Sequence, residues 1–251
     1  MDLDDRVTYL ELTPDEFRKR LAAAPIAYLP LGTLEWHGEH LPLGSDALQS
    51  QGFFRHLARE VGGIVLPPLF LGPDLHEEVE GKDYYGMDFY HRPGGGHRQL
   101  DGSAYWVSSD LFVAMLESIL RLLARAGFRI VVGHGHGPST RTFLERAPEW
   151  QDRFGLRLLT CWRTEETDWH AEDDGLGIQT DHAGANETSL MLALHPELVR
   201  MERLPEDPDE WPEAVLGKDP RAHASAEVGW QAIRLQGERM ARLLRKELAG
   251  L

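Results

Sequence analysis

Acidic and imidazole side chains are concentrated between residues 35 and 46 of the sequence. Glu35 and His37 are two residues apart, so on an extended chain both side chains leave the same face. Asp46 follows a turn that contains Pro and Gly and can fold back on the pair. The stretch comes directly after the apolar run 26–31, a predicted strand. Carboxylates and imidazoles are suitable ligands for a divalent cation, although a polar loop with a salt-bridged His is the alternative.

Two further stretches repeat this combination of residues. His134 and His136 follow the apolar run 128–132, and the glycines between and around them allow a close backbone approach. The third stretch is a Gly-containing loop that leads into an apolar helical segment, and it contains Asp181, His182 and Glu187. Each stretch alone is compatible with a structural role. Three of them at strand–loop and loop–helix junctions favour a metal site.

Together these motifs resemble the creatininase (creatinine amidohydrolase) family. The first is similar to the family signature Glu-x-His-Gly-x-His-Leu-Pro-Leu-x-x-Asp, from Glu35 through Asp46. The second resembles Asn-Gly-His-Gly-Gly-Asn only in part, at Gly133-His134-Gly135. The third, from His182 through Glu187 and the following Thr-Ser, is similar to His-Ala-Gly-x-x-Glu-Thr-Ser. The resemblance covers residues 8–245.

This resemblance implies a pair of divalent metal ions, zinc and/or manganese, with iron as a further possibility. Glu35 and His37 are each expected to ligate one ion, and Asp46 is expected to bridge both. His134 is expected to ligate the ion that Glu35 binds.

The remaining ligand is left open by the sequence. Glu187 is favoured, with His136 either a substitute ligand or a hydrogen-bond donor beside the site. The family's third motif also implies that His182 passes a proton to the leaving nitrogen and that Asp181 orients its ring.

The implied reaction is attack of a metal-activated water on a carbonyl group of a small molecule, which opens a cyclic amide or cleaves a linear amide C–N bond. One alternative is a hydrolase that opens the ring of a cyclic polyol ketone of the inosose type at a C–C bond. A metal-binding scaffold without turnover is the other. The region 67–105 departs from the family, so the substrate cannot be inferred through it. The resemblance further implies a homo-oligomer, a hexamer in the family.

Composition limits the partners. The chain of 251 residues has 41 acidic and 26 basic residues, for a formal net charge of −15. This balance argues against nucleic acid or an anionic membrane as a partner, and it weakly favours a neutral or cationic substrate. A single cysteine, Cys161, and the lack of any long apolar run or signal-peptide pattern predict a cytoplasmic protein that does not span a membrane.

Alternating strand and helix patterns predict a single α/β domain over residues 1–251, with a mostly parallel sheet and helices on both faces. The metal site is expected at the carboxyl ends of the strands. The predicted strands are 26–31, 64–66, 128–132 and 156–161. The predicted helices are 14–23, 45–60, 108–126, 139–150, 187–194 and 223–248.

Overall fold

The computed structural model describes residues 6–162 and 175–251. Within these ranges the strands are β1 (Ile26–Leu31), β2 (Ile64–Val65), β3 (His76–Val79), β4 (Lys82–Tyr85), β5 (Ile130–Gly135) and β6 (Arg157–Leu159). The helices are α1 (Pro14–Ala23), α2 (Ser45–Glu60), α3 (Ser109–Ala126), α4 (Gly137–Phe154), α5 (Ala185–Leu194), α6 (Pro220–His223) and α7 (Ala226–Ala249). No helix in the described part of the chain could cross a membrane.

A parallel sheet with the strand order β2-β1-β5-β6 forms the centre of the fold. The two central strands, β1 and β5, are buried along their whole length. Strands covered on both faces are typical of parallel sheets, and they explain why β1 and the start of β5 are almost continuously apolar in the sequence. The predicted α/β class with a parallel sheet is confirmed.

Helices cover both faces of this sheet, and alternate residues of β1 contact different layers. Ile26 and Tyr28 belong to one core cluster with residues of α2 and α7, among them Phe53, Phe54, Ile233 and Met240. Ala27 and Leu29 belong to another cluster with residues of α3 and α4, among them Phe112, Leu116, Phe143 and Trp150. The two layers hold β1 and β5 rigidly, so the loops that follow them start from fixed positions.

Helix boundaries follow local signals in the sequence. The Thr13 side chain accepts a hydrogen bond from the Glu16 N–H while the Glu16 carboxylate accepts one from the Thr13 N–H, which is a complete capping box. The helix predicted over 223–248 is α7, which begins three residues later than predicted and is preceded by the short helix α6. They are separated at Ser225, whose side chain caps α7 by accepting from the Val228 N–H.

The region 67–105, predicted to be irregular, contains an antiparallel hairpin of β3 and β4. Strand β5 is the other difference. It was predicted to end at residue 132, but its pairing with β1 continues as far as Leu31 and Gly135. His134 therefore lies inside the strand, and only His136 lies beyond its end.

Candidate metal site

Five side chains converge at the carboxyl ends of β1 and β5. Glu35 and His37 lie on the loop that follows β1, and Asp46 lies in the first turn of α2. His136 follows β5 directly as the N-cap residue of α4, and Glu187 lies in the first turn of α5. All five are buried, with at most 4% of their surface exposed. The edge of the sheet at which the sequence predicted a site therefore holds a buried cluster of carboxylates and imidazoles.

The geometry at the end of β5 depends on Gly135. Its φ of +150° is a conformation that favours glycine, and a Cβ there would overlap the carbonyl oxygen of Leu31 at the end of β1. The next N–H, that of His136, donates to the same Leu31 oxygen at 2.9 Å. Glycine thus allows the two strand ends to approach closely enough to bring His136 beside the loop that carries Glu35.

His37 occupies one half of the cluster. Its Nδ1–H donates to the carbonyl oxygen of Glu35 at 3.0 Å, which directs Nε2 toward two carboxylates. Nε2 lies 3.5 Å from Asp46 Oδ1 and 3.6 Å from Glu187 Oε2. A divalent ion between these three side chains would have one nitrogen and two oxygen ligands.

His136 occupies the other half. Its Nδ1 is 3.0 Å from the Ser139 hydroxyl, and its Nε2 is 3.4 Å from Glu35 Oε2 and 3.3 Å from Asp74 Oδ2. Ligand atoms of Glu35, Asp46 and His136 lie within 4.8 Å of one another, as do those of His37, Asp46 and Glu187. Asp46 is common to these two groups. Ligand atoms of Glu35, His37 and His182 form a third group within the same distance.

His134, expected to be a ligand, is not brought into any of these groups. Its Nδ1 is 3.0 Å from the Thr160 hydroxyl and its Nε2 is 3.0 Å from the carbonyl oxygen of Ile178. Its ring also contacts Trp162 edge-on. Because β5 continues through residue 135, the imidazole that reaches Glu35 is two residues later in the chain than the sequence suggested.

The expected pairing of Asp181 with His182 is also replaced by other contacts. The Asp181 carboxylate accepts the backbone N–H groups of Asn186 at 2.8 Å and Glu187 at 3.1 Å, so it caps the start of α5. His182 is held by stacking on His37, with ring centroids 4.3 Å apart, and by an Nε2 contact of 2.6 Å to the carbonyl oxygen of Trp36. Asp181 therefore positions Glu187 rather than the His182 ring.

The donor set fits a divalent cation on an observation independent of the motifs. His37 Nε2 and Asp46 Oδ2 are buried and have no hydrogen-bond partner. Buried polar atoms are nearly always paired, and these two belong to side chains that already face each other. A cation would satisfy both atoms.

Electrostatics support the same fit. Burial raises the pKa of Glu35 to about 7, with the Asp74 charge adding to it, and burial raises the pKa of Glu187 well above its usual value. Burial alone would lower the pKa of His37, but the carboxylates of Asp46, Glu187 and Glu35 outweigh it and raise that pKa to about 10. Glu35 and Glu187 therefore hold protons more readily than exposed acids do, because too little positive charge lies beside them. Asp46 is the exception, since the neighbouring His37 lowers its pKa to about 2 despite its burial. Metal cations would supply the missing positive charge.

The pKa of His182 is shifted in the opposite direction to the pKa of His37. Burial and the neighbouring His37 lower its pKa to about 3, so the His182 ring is neutral at physiological pH.

Asp74 is a residue of the site that the sequence did not reveal. Its side chain is 5% exposed, contacts His136, and lies in the loop before β3. It stands alone in a segment that departs from the family, and no motif marks it. His40, by contrast, is turned away from the cluster and bonds the Thr188 hydroxyl through Nε2 at 2.8 Å.

The cluster opens into a pocket of about 460 Å³. Glu35, Asp46, His136, His182 and Glu187 line the pocket, which is large enough for a small molecule. Apolar side chains complete the wall, namely Leu75, Met87, Tyr90, Trp162 and Leu216.

Fold and site together define an α/β protein with a carboxylate- and imidazole-rich site, of the type that binds divalent metals, at the strand ends. The sequence model of the creatininase family (creatinine amidohydrolase) matches residues 10–247, and the chain belongs to this family and is a hydrolase. It is 30% identical to creatinine amidohydrolase of Pseudomonas putida over 213 residues, which are 79% of this chain and 75% of that protein. It is 24% identical to 3-dehydro-scyllo-inosose hydrolase of Thermotoga maritima, over 80% of this chain and 60% of that one.

A crystal structure of creatininase superposes with a TM-score of 0.72 at 25% identity, covering 96% of this chain and 98% of that one. Other solved creatininases include a manganese form and a Zn-Zn form of a mutant. Because the chain is a hydrolase of this family, we no longer keep the alternative that it is a metal-binding scaffold without turnover.

Proposed function

We propose that this chain is a binuclear metal-dependent hydrolase that cleaves an amide C–N bond, cyclic or linear, of a small molecule. The observation that carries the proposal is the position of Asp46, which belongs to two of the three groups of possible ligands and is the residue that those two share. One ion is assigned to Glu35, Asp46 and His136. The other is assigned to His37, Asp46 and Glu187. This assignment replaces His134 by His136 and takes Glu187 as the ligand that the sequence left open.

The ligands are oxygen and nitrogen donors without a thiolate, which suits zinc, manganese or iron. When bound, such a pair lowers the pKa of water and polarises a carbonyl group. The protein contributes the rigid placement of the ligands at the strand ends and a partly apolar pocket that limits access of bulk water.

His182 is the proposed proton carrier. With its Nε2–H donated to the Trp36 carbonyl oxygen, its other ring nitrogen, Nδ1, is left as the proton acceptor. Because burial and His37 lower the pKa of this ring to about 3, the ring would hold the proton only transiently and pass it readily to the leaving nitrogen. Stacking on His37 holds the ring beside the proposed ligands. Asp181 acts indirectly by capping α5 and fixing Glu187.

A second candidate is hydrolytic ring opening of a cyclic polyol ketone at a C–C bond. The similarity to the inosose hydrolase over 80% of this chain favours it. Both reactions begin with attack of water on a carbonyl group, and the metal ligands alone do not distinguish them. A homo-oligomer and a cytoplasmic location remain predictions, and light scattering of the purified protein tests the first.

The test combines metal analysis with a substrate panel. Wild type, Asp46→Asn and the control Asp152→Asn, an exposed acid on α4, are purified and loaded with Mn²⁺ or Zn²⁺. We expect about two ions per chain in wild type and Asp152→Asn, and one or none in Asp46→Asn. Hydrolysis of small amides, lactams or cyclic ketones is expected only where two ions are bound. Full turnover in Asp46→Asn, or in chelated wild type, would refute the proposal.

A further inference from the structure

We propose that Arg141 binds an anionic oxygen group of the substrate, a carboxylate or a phosphate, in the pocket beside the metal ligands. The inference rests on the proposed function, because it concerns the same pocket, and it deepens that function by naming a substrate class. It makes Arg141 a specificity-determining residue.

Arg141 is distinguished by its charge. Among the described residues that line the pocket it is the one Lys or Arg side chain. Most of the other charged groups there are carboxylates, including Glu35, Asp46 and Glu187. Those three are accounted for as metal ligands, whereas a guanidinium cannot ligate a metal. Its chemistry is to donate hydrogen bonds to a carboxylate or a phosphate, often two at once.

Arg141 also makes no ion pair or hydrogen bond within the described chain, unlike other arginines of the same helix. Arg146 pairs with Glu149 at 3.2 Å, and Arg153 pairs with Glu117 at 3.0 Å. Glu145, one turn beyond Arg141 on the same pocket wall, forms no ion pair with it. The guanidinium is therefore available to a ligand without first breaking an internal contact.

The backbone of α4 adds to the positive potential at this wall. Gly137 and Pro138, the first residues of the 18-residue helix, line the same pocket. No side chain caps this end of α4 and its first turn contains no acid, so the helix terminus adds partial positive charge. The carboxylates of Glu35 and Asp74, which contact the N-cap residue His136, offset part of it, so Arg141 is the main cationic feature of the wall. Arg141 lies one turn farther along the helix. Both features favour an anion at the same wall.

The pocket thus has two unlike parts, a metal-binding part that would receive the scissile carbonyl and a wall that presents Arg141, unpaired within the described residues, beside Glu145. This local arrangement opposes the preference for a neutral or cationic substrate that the net charge of −15 suggested. The overall charge acts over long distances and is screened by salt, whereas Arg141, although exposed, can bind an anionic group directly at hydrogen-bond distance. We expect an amide or a ketone with an anionic group to bind better than a neutral analogue of the same size.

Binding of paired hydroxamic acids to the metal-loaded chain tests the inference. One probe of each pair ends in a carboxylate and the other in its methyl ester, with two, three or four methylenes between the ends. Phosphonate-ended hydroxamates distinguish a phosphate site from a carboxylate site. Affinities are measured by calorimetry for wild type, Arg141→Met, Arg141→Lys and the matched control Arg146→Met.

In wild type the anionic probe of the best length should bind about tenfold tighter than its ester, as expected for charge-assisted hydrogen bonds. Arg141→Met should abolish this ratio while leaving ester affinity and metal content unchanged. Arg141→Lys should keep part of the ratio, and Arg146→Met all of it. Equal affinities in wild type, or a ratio that survives in Arg141→Met, would overturn the role of Arg141 and leave the proposed hydrolase intact. Failure of both probes to bind loaded wild type would count against the metal site and hence against both proposals.

Discussion

Replacing the two histidines of the second motif separately distinguishes a metal ligand from a structural residue. His136→Ala removes the imidazole that is grouped with both Glu35 and Asp46 as a possible ligand. We expect the metal content to fall from about two ions to about one per chain, and hydrolysis to be lost. His134→Ala should retain both ions, because the nitrogens of His134 contact Thr160 and Ile178 instead.

The expected cost of His134→Ala follows from its surroundings. The side chain is fully buried and makes two hydrogen bonds of 3.0 Å. Losing each bond costs about 1 kcal/mol, and the abandoned partners and the cavity raise the total to roughly 3 kcal/mol. For a chain of this size, that corresponds to a decrease in Tm of about 6–12 °C.

The assay is metal content by plasma mass spectrometry after gel filtration, together with thermal unfolding in chelator. Chelator removes the contribution of metal binding to Tm, so the comparison reports the protein alone. His134→Gln serves as a milder variant if His134→Ala does not fold. Loss of one ion in a folded His134 variant, with both ions retained in His136→Ala, would refute the assignment derived from the length of β5.

Three other results are expected. Metal binding at a free metal concentration near 100 times Kd contributes about 2.7 kcal/mol to the stability of the folded state. Chelation should therefore lower the Tm of wild type by about 5–10 °C. An unchanged Tm would argue against metal binding to the folded state. Thr13→Ala should cost about 1 kcal/mol in denaturant unfolding by removing the cap of α1. The pKa of Glu16 is held below its ordinary value first by the Thr13 N–H and then by the Thr13 hydroxyl, so the stabilisation by that carboxylate is present above its unfolded pKa and is lost as pH falls through the folded one. Thr13→Ala removes the hydroxyl, which donates to Glu16 Oε2 at 2.9 Å, and the part of its penalty that comes from this contact should therefore shrink in acid. Gly135→Ala should destabilise by roughly 3 kcal/mol through backbone strain and overlap with Leu31, whereas Gly96→Ala, with open space around it, should have little effect.

Much of the fold could be predicted because its signals are local. The capping box at Thr13 and the apolar runs that became β1 and β5 are readable in short windows of sequence. The end of β5 was not readable in this way. Residues 133–135 are Gly-His-Gly, a pattern typical of a loop, and they are strand because β1 pairs alongside them. That pairing is a tertiary contact, which overrides local propensity.

The end of β5 also decides which histidine the proposed metal site includes. Glu35, His37 and Asp46 lie on the segment that links β1 to α2, so their relative positions are set within a short length of chain. The choice between His134 and His136 instead depends on where β5 stops relative to β1. Asp74 was missed for a related reason, since its approach to His136 spans 62 residues and has no local sequence signature.

The buried acids of the site link its function to its stability. Glu35 and Glu187 are almost completely buried, and without a cation their charged forms are disfavoured, as the upward shifts of their pKa values indicate. Such buried acids destabilise the fold when no metal is bound. The helices packed on both faces of β1 and β5 must therefore supply the stability that keeps these acids close to one another. Metal binding would reverse the sign of this contribution, because the same carboxylates would then neutralise cations and release the protons they hold. The acids that weaken the empty fold are therefore the groups that would couple metal binding to its stability.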